Sequence, residues 1–245
     1  MRRLVVTVGF LLASLTCSLA GETPGLTPIG PLGPEGAPAK VFPKPARPVA
    51  NIVSESWATE EARDRDGEAA QVMSFLGVRP GMNVADIGAG GGYYTVRVAR
   101  QVAPNGRVIA EDIVPEYLET LRQRIEREHL ANISLDLGEP HDPRLPPRSV
   151  DLVLMVHMYH EVEQPYGLLY NLLPALREGA RVAVIDLDRP TAQHGTPREL
   201  LLCEFHALGF RQTHWGWLRS KEEYLALFEP PATPPAPEQI KACTA

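Results

Sequence analysis

The feature that most constrains this chain is a glycine-rich turn directly after a short apolar run. Residues 84–93 read VADIGAGGGY, so Asp86 stands two residues before the alternating glycines Gly88, Gly90 and Gly92. Glycine adopts positive φ in tight turns, and its missing Cβ lets a ligand lie against the backbone. A strand, a glycine turn and a helix in this order predict a nucleotide-like ligand at the carboxyl end of the strand.

The spacing of the glycines narrows the class of ligand. The dinucleotide fingerprint is G-x-G-x-x-G, and Tyr93 occupies its third glycine position here. This substitution disfavours a nicotinamide-dependent oxidoreductase. A plain strand-to-helix connection without a ligand is the other alternative, but such connections rarely need so many glycines.

Four motifs together resemble the class I S-adenosylmethionine-dependent methyltransferases. In chain order they are the acid and G-x-G-x-G turn at 86–92, the strand pattern at 106–116, the strand pattern at 149–155, and the helix and strand pattern at 173–186. The resemblance covers about residues 53–228. It implies an α/β fold with a doubly wound, seven-stranded, mostly parallel sheet, an antiparallel last strand and helices on both faces.

The hydrophobic pattern of the chain agrees with this fold. Strand and helix patterns alternate between residues 51 and 229, which predicts a parallel sheet with crossover helices. Residues 210–218 and 224–228 predict a closing antiparallel hairpin, with a short helix over 221–228 as the alternative. The doubly wound rule then places the ligand at the carboxyl ends of strands 1, 2 and 4.

The resemblance implies S-adenosyl-L-methionine as the cofactor, and it assigns contacts to named acids. Asp86 is expected to orient the glycine turn or to contact the cofactor amino group through water. Asp112, with Glu111 as its rival, is expected to bind the ribose hydroxyls, and it follows Gly90 at about the 20-residue spacing of such an acid. The predicted cofactor-binding residues are Asp86, Gly88, Gly90, Gly92, Asp112 and Asp142.

Asp142 lies in the loop after strand 3, where an acid of the family commonly contacts the adenine amino group. Glu139 is the second choice for this contact. The alternative role of Asp142 is turn formation, since Asp-Pro is a good turn former.

The segment after strand 4 supplies the predicted catalytic residues His157, Tyr159 and His160. Methyl transfer needs alignment, exclusion of water and sometimes a base for an N–H or O–H acceptor. His157 and His160 would form a zinc site only if Glu161 or His141 completed it, and we predict no metal site. His194, after strand 5, is a further group that could face the site.

Length and charge limit the class of protein. The 245 residues are 44% hydrophobic, which is enough for one well-buried α/β domain. The net charge is −6 and no basic run occurs, which argues against nonspecific nucleic-acid binding. The predicted partner is therefore a small-molecule substrate and not a nucleic acid, and the oligomeric state is left open.

The ends of the chain differ from its centre. Residues 1–20 have the positive start, apolar run and small-residue site of a signal peptide, which predicts an exported, periplasmic protein with no membrane span after cleavage. An uncleaved membrane anchor is the alternative, and both Sec and Tat export stay open. Residues 21–50 predict a proline- and glycine-rich, poorly ordered leader, 51–229 the methyltransferase-like domain, and 230–245 a proline-rich tail.

Two further questions follow from export. An oxidising compartment permits a disulfide between Cys203 and Cys243, although a buried thiol and a free terminal thiol are the alternative. The envelope is also not expected to hold free S-adenosylmethionine. A cofactor-binding domain of the same fold without transfer activity is therefore the alternative to an active methyltransferase.

Overall fold

A computed structural model describes residues 32–53, 59–218 and 222–244. The predicted signal peptide at 1–20 and the first part of the predicted leader lie outside the described residues. The strands are β1 (Asn83–Ile87), β2 (Arg107–Asp112), β3 (Ile133–Leu137), β4 (Val150–Val156), β5 (Leu176–Leu187), β6 (Arg211–Trp217) and β7 (Glu223–Glu229). They form a single sheet whose edge at the carboxyl ends of the strands holds the candidate site.

The sheet has the order β3-β2-β1-β4-β5-β7-β6. Strands β1 to β5 pair in parallel, whereas β7 runs antiparallel to both of its neighbours. This topology confirms the predicted fold class. The strand order reverses between β1 and β4, and a doubly wound sheet opens a crevice at such a point.

The closing hairpin is confirmed, and the alternative of a short helix over 221–228 is wrong. Strand β7 lies between β5 and β6 and bonds to both of them. Residues 224–228 are all buried. Backbone pairing on two sides together with burial on both faces favours the strand over a helix in this segment.

The described residues contain six α-helices. They are α1 (Glu60–Asp66), α2 (Glu68–Leu76), α3 (Tyr93–Val102), α4 (Pro115–Arg127), α5 (Pro165–Leu172) and α6 (Arg198–Ala207). On β4, Leu152 and Leu154 belong to one apolar cluster, while Val153 and Met155 belong to the other. Both faces of the central strand are therefore buried, as its continuous apolar sequence predicts. Among the described residues, no helix has the length and apolar character needed to cross a membrane.

The expectation of a poorly ordered leader is wrong for its described part, residues 32–50. The described segment continues to residue 53, and residues 32–53 together are called the leader below. Phe42 and Arg47 of this segment are buried against the domain. Arg47 Nε donates to Glu204 Oε1 at 2.9 Å, and both side chains are 0% exposed. Its Nη2 donates to the carbonyl oxygens of Tyr159 and Val162, and its Nη1 donates to that of His160. A buried ion pair and apolar contacts hold this segment against the fold despite its proline-rich composition.

The tail also lies on the domain, and is not the free arm that its composition predicts. Cys243 forms a disulfide with Cys203 on α6, so the alternative of two unbridged cysteines is wrong. The backbone amide of Cys243 donates to the Tyr166 hydroxyl at 2.7 Å, and Ile240 is buried in the core. The tail thus covers α5 and α6 on the face where the leader also packs.

Candidate functional site

A cavity of about 580 Å³ opens at the carboxyl ends of β1, β2 and β4. Small-molecule sites have volumes of about 300–1,000 Å³, so this cavity is of their size. The glycine end of the cavity is formed by Asp86, Gly88, Gly90 and Asp112. The histidine end is formed by His157, His160, Glu161 and His194.

The glycine end is the tight turn between β1 and α3. Gly88 and Gly90 have φ of 67° and 52°, in the left-handed region that favours glycine. A Cβ on Gly88 would lie 3.0 Å from the Met158 side chain, so the absence of a side chain keeps this part of the cavity open. The Gly90 amide donates to Asp112 Oδ2 at 2.8 Å, which holds the turn against β2.

Gly92 was predicted to contact the cofactor, but it does not line the cavity. Gly91 lines the cavity instead. Gly92 stands at the start of α3 with φ of 83°. A Cβ there would come within 2.3 Å of Leu121 on α4. The third glycine of the motif therefore serves the helix start and helix packing.

Asp86 and Asp112 place two buried carboxyl groups beside the turn. Asp86 Oδ2 accepts from Thr95 Oγ1 at 2.6 Å. Burial raises the pKa of Asp86 to about 6, with the neighbouring Asp112 adding to the rise. Burial also raises the pKa of Asp112, against the backbone amides of Gly90 and Val114, which favour its charged form. Both acids are where the sequence predicts them, at the ends of β1 and β2.

The position of Asp142 also differs from its predicted role as the adenine contact. Its carboxylate accepts from the backbone amide of Gly36 at 2.7 Å and from that of Arg144 at 2.9 Å. Asp142 is buried and does not line the cavity, whereas the second choice, Glu139, does. The bond from the Arg144 amide, two residues further on, agrees with the alternative role of Asp142 in turn formation. The bond from Gly36 comes from the distant leader and is not visible in the local sequence.

Tyr159 was predicted to be catalytic, but it is a core residue and does not line the cavity. Its side chain is 0% exposed, and its ring centroid lies 5.6 Å from that of Phe205. The Arg47 guanidinium lies 5.7 Å from the ring centroid on the other side. Burial raises the pKa of its hydroxyl well above the usual range. Tyr159 supports the segment that carries His160, and it does not reach a substrate.

His157 lines the cavity as predicted, and it is paired with acids. Its Nε2 lies 2.8 Å from Glu223 Oε1 at the start of β7 and 4.0 Å from Glu68 Oε1 on α2. Its φ of 53° is uncommon for a residue with a side chain. Glu68 also accepts two hydrogen bonds from Arg63, so its charge is already balanced.

His160 is held by an acid that sequence reasoning missed. The Nδ1 atom lies 3.0 Å from Asp186 Oδ1, and Asp186 Oδ2 accepts from Thr196 Oγ1 at 2.7 Å. All three side chains are buried. Asp186 follows an apolar run on β5, as Asp86 does on β1. This shared sequence pattern could have identified Asp186 as a site residue. The arrangement fixes the orientation of the imidazole ring.

Glu161 and His194 complete the histidine end. Glu161 Oε1 accepts from the Val53 amide of the leader at 3.1 Å. Burial raises the pKa of Glu161 to about 7, although the nearby His160 lowers it. The ring of His194, which follows β5, lies 5.6 Å from that of His160. The loops after β4 and β5 therefore converge at this end.

Helix α1 forms a wall above the glycine end. Glu60 and Arg63 of this helix line the cavity. The Arg63 guanidinium stacks 3.8 Å from the Tyr93 ring centroid. Arg124 bonds to Glu60 and donates to the carbonyl oxygen of Gly91 at 2.9 Å. This network ties α1 and α4 to the turn, and the sequence pattern does not predict it.

The glycine end fits S-adenosylmethionine on its own geometry. The turn offers a backbone surface that a Cβ would fill, and Asp112 reaches both the turn and the cavity. Buried carboxylates suit a ligand that carries a sulfonium and an ammonium group. Glu111 also lines the cavity, and its buried Oε1 has no hydrogen-bond partner among the described residues. Asp86, Gly88, Gly90 and Asp112 would hold the cofactor here.

Comparison with known protein families gives one domain match. Residues 79–228 match a family described as methyltransferase domain. The matched stretch begins before β1 and ends in β7, so it contains the whole sheet. It also contains the glycine end of the cavity and all four residues of its histidine end.

Individual relatives carry different names. An arsenite methyltransferase of Halobacterium salinarum is 30% identical over 117 residues, covering 46% of this chain and 29% of the relative. A demethylmenaquinone methyltransferase of Listeria welshimeri is 25% identical over 120 residues, covering 49% of this chain and 51% of the relative. The chain thus spans about half, or less, of the length of the curated relatives it matches.

Among solved structures, an S-adenosylmethionine-dependent methyltransferase from Aquifex aeolicus superimposes with a TM-score of 0.62 at 20% identity. The superposition covers 70% of this chain and 98% of that one. At this identity the likeness concerns the fold alone. It agrees with the fold described above.

Proposed function

The chain belongs to the methyltransferase-domain family. From this premise we propose that it is an S-adenosylmethionine-dependent methyltransferase, and that it methylates a small molecule bound at the histidine end of the cavity. One observation carries the proposal. The glycine end and the histidine end line the same cavity of about 580 Å³. A cavity of this size suits a small acceptor better than a folded macromolecule.

When bound, S-adenosylmethionine supplies a methyl group on a positively charged sulfonium sulfur. The chain contributes binding and orientation at the glycine end. Asp112, which lines the cavity, would bind the ribose hydroxyls, and its carboxylate also accepts from the backbone amides of Gly90 and Val114. Asp86 adds negative charge beside the turn. Positioning of this kind accounts for much of the rate of an in-line transfer.

The histidine end acts on the acceptor. A neutral His160 donates its Nδ1 proton to Asp186 and keeps the Nε2 lone pair free of that contact. Because His160 lines the cavity, this lone pair is available to an acceptor whose O–H or N–H group must lose a proton. His157 lies at the same end and contributes a second polar contact.

The leader forms part of the wall at the histidine end of the cavity. The Ala50 amide donates to the His160 carbonyl oxygen at 3.1 Å, and the Val53 amide donates to Glu161. Ile52 and Val53 line the cavity beside them. An apolar wall over polar groups strengthens their electrostatic interactions with a bound acceptor.

The proposed location is the cell envelope. The signal-peptide pattern at 1–20 supports export, and the Cys203–Cys243 disulfide suits an oxidising compartment. Mass spectrometry of the native protein from an envelope fraction tests this proposal. A mature terminus after Ala20 is the expected result, and a full-length chain in the cytosol contradicts it.

The function is tested with the full mature chain. Calorimetry is expected to show binding of S-adenosylmethionine, and Asp112→Asn is expected to weaken it by about 100-fold, since charged hydrogen bonds are lost. Glu178→Gln, which removes an exposed acid, serves as the control. Small-molecule extracts from the envelope are then supplied with methyl-labelled cofactor, and release of S-adenosylhomocysteine is measured. Binding without release under every extract supports the alternative of a cofactor-binding domain.

A further inference from the structure

Three side chains at the histidine end bring potential metal ligands together. His160, Glu161 and His194 each place a ligand atom so that all three lie within 4.8 Å of one another. His160 and Glu161 come from the turn after β4, and His194 comes from the loop after β5. Two imidazoles and a carboxylate form a ligand set that suits Zn²⁺ and related transition metals.

The orientation of His160 is the second observation. Its Nδ1 faces both carboxylate oxygens of Asp186 at 3.0 and 3.1 Å. Its Nε2 lies 3.9 Å from Glu161 Oε1. Metal-binding histidines commonly donate their other ring N–H to a carboxylate, which fixes the tautomer and raises the basicity of the ligand nitrogen. His160 has this arrangement, and Thr196 in turn holds Asp186.

A second group of side chains in the cavity provides a comparison. Glu68, His157 and Glu223 are also close enough to share an ion. However, Glu68 accepts two hydrogen bonds from Arg63 and one from Tyr94. An arginine bound to a ligand carboxylate competes with a cation. Arg47, the cation below the first group, is paired with Glu204 instead.

We infer that His160, Glu161 and His194 form a binding site for a divalent transition-metal ion at the histidine end of the cavity. Ligands of tetrahedral Zn²⁺ lie about 3.3 Å apart at bond lengths of about 2.1 Å, so the three groups close by about 1 Å on binding. No metal site was predicted from the sequence, because the histidine pair considered there was His157 and His160. The fold separates that pair and supplies His194.

The role of this metal site depends on the proposed function, because the site lies at the end of the cavity where the acceptor is proposed to bind. Three protein ligands leave a position for an oxygen or nitrogen of a bound molecule. The acceptor class is therefore a small molecule that carries a metal-binding oxygen or nitrogen at or beside the atom that is methylated. The ion orients that atom and lowers the pKa of an attached O–H group, whose proton then leaves to solvent. When the ion is bound, it takes the place of His160 as the activating group, because the Nε2 lone pair of His160 is then a metal ligand and not a base.

Zinc binding to the full chain, prepared without an affinity tag and stripped with a chelator, tests the inference. We expect one Zn²⁺ per chain by calorimetry and by elemental analysis. Glu161→Gln and His194→Asn are each expected to weaken binding at least about tenfold, and Asp186→Asn by about 10- to 100-fold through His160. Asparagine tolerates the φ of 57° at His194.

The controls separate this site from the rest of the protein. His206→Ala removes an exposed histidine, and His157→Asn removes the centre of the second group; both variants are expected to keep the wild-type affinity for Zn²⁺. The inference is overturned if the wild-type chain does not bind Zn²⁺, if Glu161→Gln and His194→Asn bind it normally, or if binding is lost with His157→Asn.

Measurements of S-adenosylmethionine binding on the same samples distinguish the two proposals. Loss of Zn²⁺ with intact cofactor affinity in Glu161→Gln supports the metal site. Zn²⁺ binding without any cofactor binding contradicts the proposed function and leaves the metal site standing. Turnover that survives chelation and Glu161→Gln unchanged overturns the role of the ion.

Discussion

The glycine end of the cavity comes from one continuous turn and one acid on the neighbouring strand, whereas the histidine end combines segments that are far apart in the chain. Gly88 and Gly90 lie 24 and 22 residues before Asp112, and the Gly90 amide donates to this carboxylate. The histidine end needs the loops after β4 and β5 and the leader at Val53, whose amide reaches Glu161 across 108 positions. The residues proposed to bind the cofactor are thus close together in the sequence. The residues proposed to act on the acceptor are brought together by tertiary packing.

The largest expected effect is on the rate of methyl transfer, and it distinguishes the histidine end from the glycine end of the cavity. His160→Asn removes the imidazole whose lone pair faces the acceptor, and we expect the rate of methyl transfer to fall by about 1,000-fold. The affinity for S-adenosylmethionine should change by less than about threefold, because the glycine end is untouched. Single-turnover kinetics and calorimetry measure the two quantities. Equal losses in rate and cofactor affinity would falsify the division of the cavity into two ends.

The next effect tests the dependence of the histidine end on the leader. Arg47→Met leaves Glu204 buried without its partner, which is expected to lower the free energy of unfolding by about 3 kcal/mol. Chemical denaturation measures this loss. The double variant Arg47→Met with Glu204→Met should regain much of the stability, since no buried charge is left unpaired.

If Arg47→Met does not fold, the milder Glu204→Gln provides the same comparison. Transfer should suffer more than cofactor binding in either variant, because Arg47 holds the carbonyl oxygens of Tyr159 and Val162 beside His160. An unchanged ratio of transfer to cofactor affinity argues against a role of the leader in the histidine end.

A third change probes the glycine end alone. Gly88→Ala places a Cβ 3.0 Å from Met158 at a φ of 67°, and it is expected to reduce cofactor affinity by about tenfold. Gly179→Ala is the matched control, since Gly179 has a φ of 75° and nothing within 4 Å of its added Cβ. The control should cost similar stability but leave affinity unchanged. Equal affinity losses in both variants would point to strain of the fold and not to the cavity.

The smallest expected effect is a pH dependence at the glycine end. Burial raises the pKa of Asp86 to about 6, so this carboxyl is mostly charged at pH 7 and mostly protonated at about pH 5. As pH falls, the cationic cofactor loses a negative neighbour, and its affinity is expected to fall by about threefold. Asp86→Asn should flatten this dependence. A full pH dependence in that variant would assign it to another group.

Much of the fold was predictable because it depends on short patterns. The alternation of strand and helix patterns predicts the sheet, and the glycine turn predicts the edge of the sheet where the cavity opens. Asp86 and Asp112 are found as predicted because each ends a strand, where the topology leaves little choice of direction. The closing hairpin was harder, and pairing of β7 on two sides decided it.

The site predictions failed where packing partners come from distant segments. Asp142 is buried beneath the leader, where it accepts from the amide of Gly36, and Tyr159 packs in the core beside Phe205. Asp186 was missed because its role appears only when β5 lies next to β4. A local pattern contains no information on which side chains a leader or a neighbouring loop will cover.

The sequence by itself therefore determined the alternation of strands and helices, the glycine turn and the acids that accompany it, because strand period and positive φ are local properties of the backbone. Only the tertiary structure decided that His160 is held by Asp186, that His157 pairs with Glu223 instead, and that His194 joins Glu161. The physical reason is the adjacency of β4 and β5 in the sheet, which brings the loops at their carboxyl ends within reach of each other.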